Sequence, residues 1–391
     1  MYKKILVPLD SSKCSNAAIE LALKLAKPFG SSVTGSHVYA AKLHDDRFRQ
    51  MESGLPPKYQ EEKELERQRD IHDDLITKGL EIISDSYAQH FETKATEAGV
   101  AFSNKSLEGK NYLEIVKDVE SSDYDLVIIG ALGLGAVRKS QIGSVCERVM
   151  RRIDRDLIIV REEGAKGKYV VAIDGSTHSF AALLSAIALA EADNAEVEAI
   201  AAFDPDYHYT AFKSIENVLS EEAGKIFKFK EQEKLHEEII DKGLAKIYQG
   251  HLETAAEMAK EKGVEIKTTL LSGKPFEEIL KYVEKEAPAL LLMGRIGFHA
   301  APGLDIGSNT ENCVRAAKCN VMVVSREINP PQKEATPDEG LPWADEAEEL
   351  LNRIPKMARG MVRKMVGEFA LKKGCTEVTG DIMREARAKM M

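Results

Sequence analysis

The sequence has little cysteine, no long apolar run and no excess of positive charge, and each shortage removes a class of protein. Its five cysteines, Cys14, Cys146, Cys313, Cys319 and Cys375, are odd in number and scattered, with no C-x-x-C and no zinc-type pairing with histidine. They suit small buried positions better than a disulfide framework, a redox centre or a metal site. No segment approaches the length of a membrane span, and the apolar start Ile5-Leu6-Val7 is too short for a signal peptide. A cytoplasmic protein with no membrane partner is therefore expected. The formal charge of −10 argues against nucleic-acid binding, which needs a concentrated positive surface.

What is present is a repeat. A chain of 391 residues exceeds the usual size of a single core, so two or three domains are expected. An offset of 164 residues carries Asp10 onto Asp174, Ser12 onto Ser176, Gly99-Val100 onto Gly263-Val264 and Gly109-Lys110 onto Gly273-Lys274. The same register carries Gly130 onto Gly294, Gly133 onto Gly297 and Gly143-Ser144 onto Gly307-Ser308. One ungapped offset of this length marks two copies of a domain. The expected limits are residues 1–162 and 168–326, with a short polar, glycine-containing joint between them.

Within copy one, apolar strands are expected at residues 5–7, 33–38, 100–103, 126–129 and 157–160. Helical spacing covers residues 16–26, a long helix closing at Gly99, and residues 112–120 and 144–153. Strands and helices alternate and the later strands are apolar throughout, which predicts an α/β fold with a five-stranded parallel sheet covered on both faces, built twice. Residues 42–74 are rich in mixed charge and suit a solvated helix face, with a lid over the mouth of the sheet as the lesser reading.

The stretch G-A-L-G-L-G-A-V-R-K-S-Q-I-G-S-V follows the fourth strand, where open α/β sheets place their ligands. Glycine lets backbone turn tightly and approach a ligand, and Ser144 suits the start of a helix whose N–H groups attract anions. In one copy these features equally suit a phosphate cradle and a plain strand end with a capped helix. Their recurrence as G-x-x-G, nine residues, G-S in both copies favours the cradle. Asp10 and Asp174, each ending a first strand, suit ribose hydroxyls or, alternatively, an N-cap.

On these motifs the chain resembles the universal stress protein family, whose ATP-binding members carry G-x-x-G-x9-G-S/T after the fourth strand. The resemblance covers residues 1–326 and implies two tandem adenine nucleotide alpha hydrolase-like, Rossmann-like domains. It implies a first ATP site at Pro8, Leu9, Asp10, Val38, Gly130, Gly133, Gly143, Ser144 and Val145. A second would use Ala172, Ile173, Asp174, Gly294, Gly297, Gly307, Ser308 and Asn309. Arg138 and Lys139 are positioned to neutralise phosphate in copy one, whereas copy two has Pro302 and Asp305 there, with Arg295 as compensation. Copy one is thus expected to bind ATP better, magnesium being needed wherever a carboxylate faces the triphosphate. Asp10-Ser11-Ser12 departs from the usual Asp-Gly-Ser, which copy two keeps as Asp174-Gly175-Ser176. The family also pairs domains through the last strand, implying an intramolecular pseudo-dimer, with homo-oligomers open.

A Pro-rich acidic linker, residues 327–342, precedes a small three-helix module, 343–391, with helices expected at 343–354, 356–373 and, after a Thr379 cap, 379–389. P-W-A-D-E-A-E-E-L-L-N-R-I-P and E-F-A-L-K-K-G-C-T-E-V-T resemble the C-terminal helical domain of a light-independent protochlorophyllide reductase subunit. So small a module implies docking, either on a protein partner or on the body of the chain. Lys356, Arg359 and Arg363 share a helix face that suits solvent, or an acidic partner. Walker-type G-x-x-x-x-G-K-[ST], S-G-G-x-D-S and H-x-G-H loops are absent. The expectation is accordingly a non-catalytic, ATP-binding regulatory protein, the alternatives being a slow ATPase and a scaffold that recruits a redox enzyme.

Overall fold

The structure, a computed structural model, describes residues 1–137, 140–161, 167–205, 242–301, 303–331, 341–354, 356–373, 375 and 377–390. The expectations placed on Arg138, Lys139 and Pro302, and the joint at 162–166, lie outside these residues. The described chain forms two compact units, Met1–Pro330 and Pro331–Met391.

Copy one runs β1 (Lys4–Pro8), α1 (Lys13–Phe29), β2 (Ser32–Tyr39), α2 (Ala41–Met51), α3 (Glu62–Ala98), β3 (Ala101–Glu108), α4 (Asn111–Ser121), β4 (Leu126–Gly130), α5 (Ser144–Arg152) and β5 (Asp156–Val160). Copy two repeats the order with β6 (Lys168–Ala172), α6 (Thr177–Asp193), β7 (Glu196–Phe203), α7 (Lys242–Glu261), β8 (Lys267–Ser272), α8 (Pro275–Glu286), β9 (Leu290–Gly294), α9 (Ser308–Ala316) and β10 (Asn320–Val324). Local chemistry sets the boundaries. Ser12 caps α1 by accepting from the Ser15 N–H at 3.1 Å, and Gly99, at φ 70°, ends α3 in the left-handed conformation that glycine tolerates.

The sheets expected for the two copies are joined into one ten-stranded sheet, ordered β3-β2-β1-β4-β5-β10-β9-β6-β7-β8. Pairing is parallel within each copy and antiparallel at the centre, where Ile158 lies opposite Met322. The inner strands are buried on both faces and so read as continuous apolar runs. β3 extends to Glu108, five residues beyond its apolar start at residues 100–103, because an edge strand with a solvated face carries polar residues that an apolar search passes over. Residues 42–74 form α2, two short 3-10 turns and the start of α3. They are mostly exposed.

The two copies also meet through side chains that obey the same offset. Asp156 accepts from the Ser325 N–H at 2.9 Å and Asn320 accepts from the Arg161 N–H at 2.8 Å. Arg151 pairs with Glu311 and Arg315 with Glu147, so each salt bridge is the image of the other. Asp156 is almost fully buried and is further held by Tyr2 Oη and Arg326 Nε, both at 2.7 Å. Burial, then the neighbouring carboxylate, pushes the Tyr2 phenol well above its ordinary pKa.

The second unit has its own core of Ala347, Leu351, Val366, Ala370, Val378, Met383 and Ala386. It is built on α10 (Asp345–Asn352), α11 (Lys356–Lys372) and α12 (Gly380–Met390). Thr379 Oγ1 accepts from the Ile382 N–H at 3.4 Å. The first helix starts later than expected because Trp343 bridges to Val378. Arg363 grips Glu348 and stacks 4.9 Å above the Trp343 ring, while Arg359 donates to Ile354 O and Asn352 O. These two arginines therefore hold the module together while remaining partly exposed to solvent.

Glu198, 1% exposed, accepts from Lys168, Lys267, Thr269 and Tyr282. Burial alone would raise its pKa, but these donors bring the carboxyl down to about 2. A depressed carboxylate stabilises the fold above its unfolded pKa and loses that contribution as pH falls through the folded one. Acid titration followed by circular dichroism is expected to show Glu198→Gln less stable than wild type at pH 7, with the difference shrinking as pH falls from about 4.5 towards about 2.

Candidate functional site

In each copy the strand order reverses beside the first strand, since β1 lies between β2 and β4, and β6 between β7 and β9. Loops diverge at such a point and leave a crevice at the carboxyl ends of the strands. A cavity of about 640 Å³ opens there in copy one and one of about 540 Å³ in copy two.

Pro8, Leu9, Asp10 and Val38 line the first cavity from the strand ends, and Gly130, Gly133, Gly143, Ser144 and Val145 line it from the loop and the start of α5. Ala172, Ile173, Asp174, Gly294, Gly297, Gly307, Ser308 and Asn309 occupy the matching places in copy two. Every described residue that the family motif implies for a site therefore borders the cavity of its own copy. Residues 42–74 border neither.

The glycines are steric requirements. A Cβ on Gly130 would fall 2.9 Å from the Ser15 nitrogen, and one on Gly133 would fall 2.5 Å from Asp10 Oδ2. Gly294 and Gly297 repeat both restrictions against Ser179 N and Asp174 Oδ2, each at 2.8 Å. Gly143 donates to Ala131 O at 2.7 Å and Gly307 to Arg295 O at 2.8 Å, closing each loop onto its own strand end.

Two expected roles change. Asp10 does not cap α1, because Ser12 does; instead it accepts from Ser12 N at 3.0 Å and Leu134 N at 3.2 Å, tying the loop after β1 to the loop after β4. Asp174 does the same through Ser176 N at 3.0 Å and Phe298 N at 3.1 Å. Ser144 does not cap α5 either. It is the first helical residue, Gly143 stands at the cap without a side-chain bond, and α9 begins identically at Gly307-Ser308. The first N–H groups of both helices thus keep their capacity for an anion at the cavity.

The charges between the glycines are arranged differently from the sequence expectation. Asp305 Oδ2 is paired with Arg151 of copy one at 2.8 Å, and neither Asp305 nor Arg295 borders the second cavity. Arg295 is 7% exposed and donates to Met150 O at 2.9 Å and Asp305 O at 3.0 Å. Neither residue therefore opposes or compensates phosphate in the way the sequence suggested. Cys146 borders the first cavity, but burial pushes its thiol up to about 12, leaving it unsuited as a nucleophile.

Sequence reasoning missed Ser15, Ser36, Asn111 and Ile115 in the first cavity, and Ser179, Tyr248, Ile279 and Phe298 in the second. Ser15 with Ser179, and Ile115 with Ile279, match at the repeat offset, so a full reading of that register finds them. Tyr248 falls on Ser84 and has no such signal. His37 directs Nδ1 to Ser84 Oγ at 2.7 Å, and burial lowers its pKa, which keeps the ring neutral near pH 7.

A model of the universal stress protein family matches residues 1–161 and again 167–325. The chain belongs to the universal stress protein family. A universal stress protein of Methanocaldococcus jannaschii is 31% identical over 162 residues, covering 41% of this chain and 84% of that protein. The crystal structure of a universal stress protein from Archaeoglobus fulgidus covers 82% of this chain and 97% of its own at 17% identity and a TM-score of 0.51, a likeness of fold. Residues 343–387 match the model of the proto-chlorophyllide reductase 57 kD subunit. A light-independent protochlorophyllide reductase polypeptide of Chlorobium limicola is 40% identical over 60 residues, which is 15% of this chain and only 11% of that polypeptide.

This tandem universal stress protein carries one local strain that its second copy avoids. Ser11 sits at φ 59°, where copy two has Gly175 at φ 86° beneath the His251 ring. Ser11→Gly is expected to raise stability by about 0.5–1 kcal/mol, since a left-handed conformation costs an L-residue roughly 1–2 kcal/mol, part of which glycine's greater unfolded freedom offsets. Gly175→Ser is expected to cost about 2 kcal/mol or more, because strain and overpacking add; its Cβ would land 2.4 Å from His251 Cε1. Urea denaturation of the two variants checks both signs.

Proposed function

We propose that this protein is a non-catalytic nucleotide-binding regulator, each of whose cavities takes one ATP. The observation that carries the reading is the pair of glycine-cleared loops, each ending on an uncapped helix N-terminus and facing an aspartate at the first strand. Such a helix end attracts phosphate through its N–H groups and dipole. The triphosphate would lie along Gly130, Gly133 and Gly143-Ser144 and along Gly294, Gly297 and Gly307-Ser308, with the ribose towards Asp10 and Asp174 and the base towards Val38 and Ile115 in copy one and Ile200 and Ile279 in copy two. Bound ATP supplies polyanionic charge for those N–H groups to neutralise. Magnesium would be carried by the phosphates, since among the described residues no group of three or more His, Cys, Asp and Glu side chains could hold a metal ion.

Binding without hydrolysis is favoured because the acidic groups at the first cavity are already engaged. Asp10 accepts two loop N–H groups and Glu147 is paired with Arg315 at 2.6 Å. The helical module is read as a docking element for a protein partner. Met361 and Met365 are exposed one turn apart on α11 and offer adaptable apolar contact.

Denatured protein is expected to release adenine nucleotide, and calorimetric titration of stripped protein to show two ATP sites. Gly133→Val and Gly297→Val are each expected to remove one of them. At about 100 times the dissociation constant, ATP adds about 2.7 kcal/mol of stability per site, visible as a rise in melting temperature. Absence of both released nucleotide and ATP binding would sink the reading.

A further inference from the structure

Two arginines, Arg161 partly buried and Arg295 buried, make the same connection from unrelated positions in the repeat. Arg161, just after β5, donates through Nη1 to Gln141 O at 2.7 Å and through Nη2 to Val314 O. Arg295, just after β9, donates through Nη1 to Asp305 O and Met150 O. The acceptors correspond across the repeat offset, Gln141 with Asp305 and Met150 with Val314, whereas the arginines do not. Each guanidinium thus joins the glycine loop of its own copy to the last turn of a helix in the other copy, α9 for Arg161 and α5 for Arg295. The N-termini of those two helices form the other copy's cavity.

These contacts carry a cost that a plain surface tie would not. Among the described residues, the acceptors of both guanidinium groups are neutral oxygens: backbone carbonyls and, for Arg295 Nε, the Ser325 hydroxyl. Arg161 Nε and Arg295 Nη2 are buried with no partner among the described residues, and burial lowers the pKa of both residues. A helix C-terminus offsets part of that cost, because its carbonyls carry negative partial charge. Only the planar fork of arginine spans two carbonyls in this way.

We infer that Arg161 and Arg295 are positioning residues that couple the two cavities, so that a ligand in one tightens binding in the other. The inference rests on the nucleotide reading above. Phosphate on the N-terminus of α9 fixes that helix, and with it the Val314 carbonyl from which Arg161 holds the loop containing Gln141 at the first cavity. Arg295 and α5 carry the reciprocal path, as linkage requires of any equilibrium coupling. Ser140 and Ile142, on either side of Gln141, line the first cavity, and Leu304, beside Asp305, lines the second. The loop segments held by the arginines are therefore segments that meet the ligand.

Calorimetric titration of the full chain with ATP and magnesium tests this. Wild type is expected to bind with a Hill coefficient clearly above one, and Gly297→Val to leave a first-cavity site weaker by about fivefold or more than the second step of wild type. The double variant Arg161→Lys with Arg295→Lys keeps the charge but not the fork, and is expected to bind two ATP independently. If that variant does not fold, each single lysine variant is expected to reduce the coupling while retaining both sites. Independent sites in wild type, or cooperativity that survives in the lysine variants, would overturn the coupling while leaving nucleotide binding intact. Absence of any ATP binding in wild type would instead remove the nucleotide reading itself.

Discussion

The close approach of two loops at the reversal of strand order is the constraint on which the rest of this structure depends. The end of β4 passes so near the first turn of α1 that no side chain fits at Gly130, and the following loop passes so near Asp10 that none fits at Gly133. The carboxylate then bonds to that loop through the Leu134 N–H, and the loop returns to Ala131 through Gly143. Three backbone restrictions and one carboxylate thus define the wall of the cavity and aim the start of α5 into it. Copy two reproduces each contact, although most residues between its glycines differ.

A second constraint acts between the copies. Antiparallel pairing of β5 with β10 makes one sheet of two and brings α5 and α9 side by side. Charges with no visible relation in the sequence then become reciprocal pairs, Arg151 with Glu311 and Arg315 with Glu147. Ion pairs at such partly exposed sites contribute modest stability individually, but they resist sliding of one helix past the other and so preserve register. Asp156 and Asn320 fix that register at the backbone. The cavities therefore lie along one continuous sheet.

Much of this was legible in the sequence, and what was legible shares a cause. The inner strands, the helix ends at Gly99 and Thr379, and the repeated glycines follow from local rules: apolar periodicity, capping and glycine spacing, whereas the remaining cavity residues were implied by the resemblance to the universal stress protein family. The misreadings concern residues whose role depends on a distant partner. Asp305 looked like a charge facing phosphate because its partner Arg151 stands in the other copy, and Arg295 looked exposed to a ligand because the carbonyls it serves are not visible in a sequence. Arg359 and Arg363 looked like a free basic stripe until Glu348, Trp343 and the Asn352 carbonyl proved to occupy them.

The sequence by itself determined that a domain is built twice and which backbone positions must lack side chains. It could do so because an internal repeat exposes steric requirements as residues that persist while their surroundings vary. Tertiary structure alone decided that the last strands run antiparallel where they pair, that Asp10 ties loops and does not cap a helix, and that arginines from non-equivalent positions serve equivalent carbonyls. Those outcomes depend on direction and distance between segments far apart in the chain, and a side chain's type fixes what bonds it can make without fixing which atoms the fold will bring within reach.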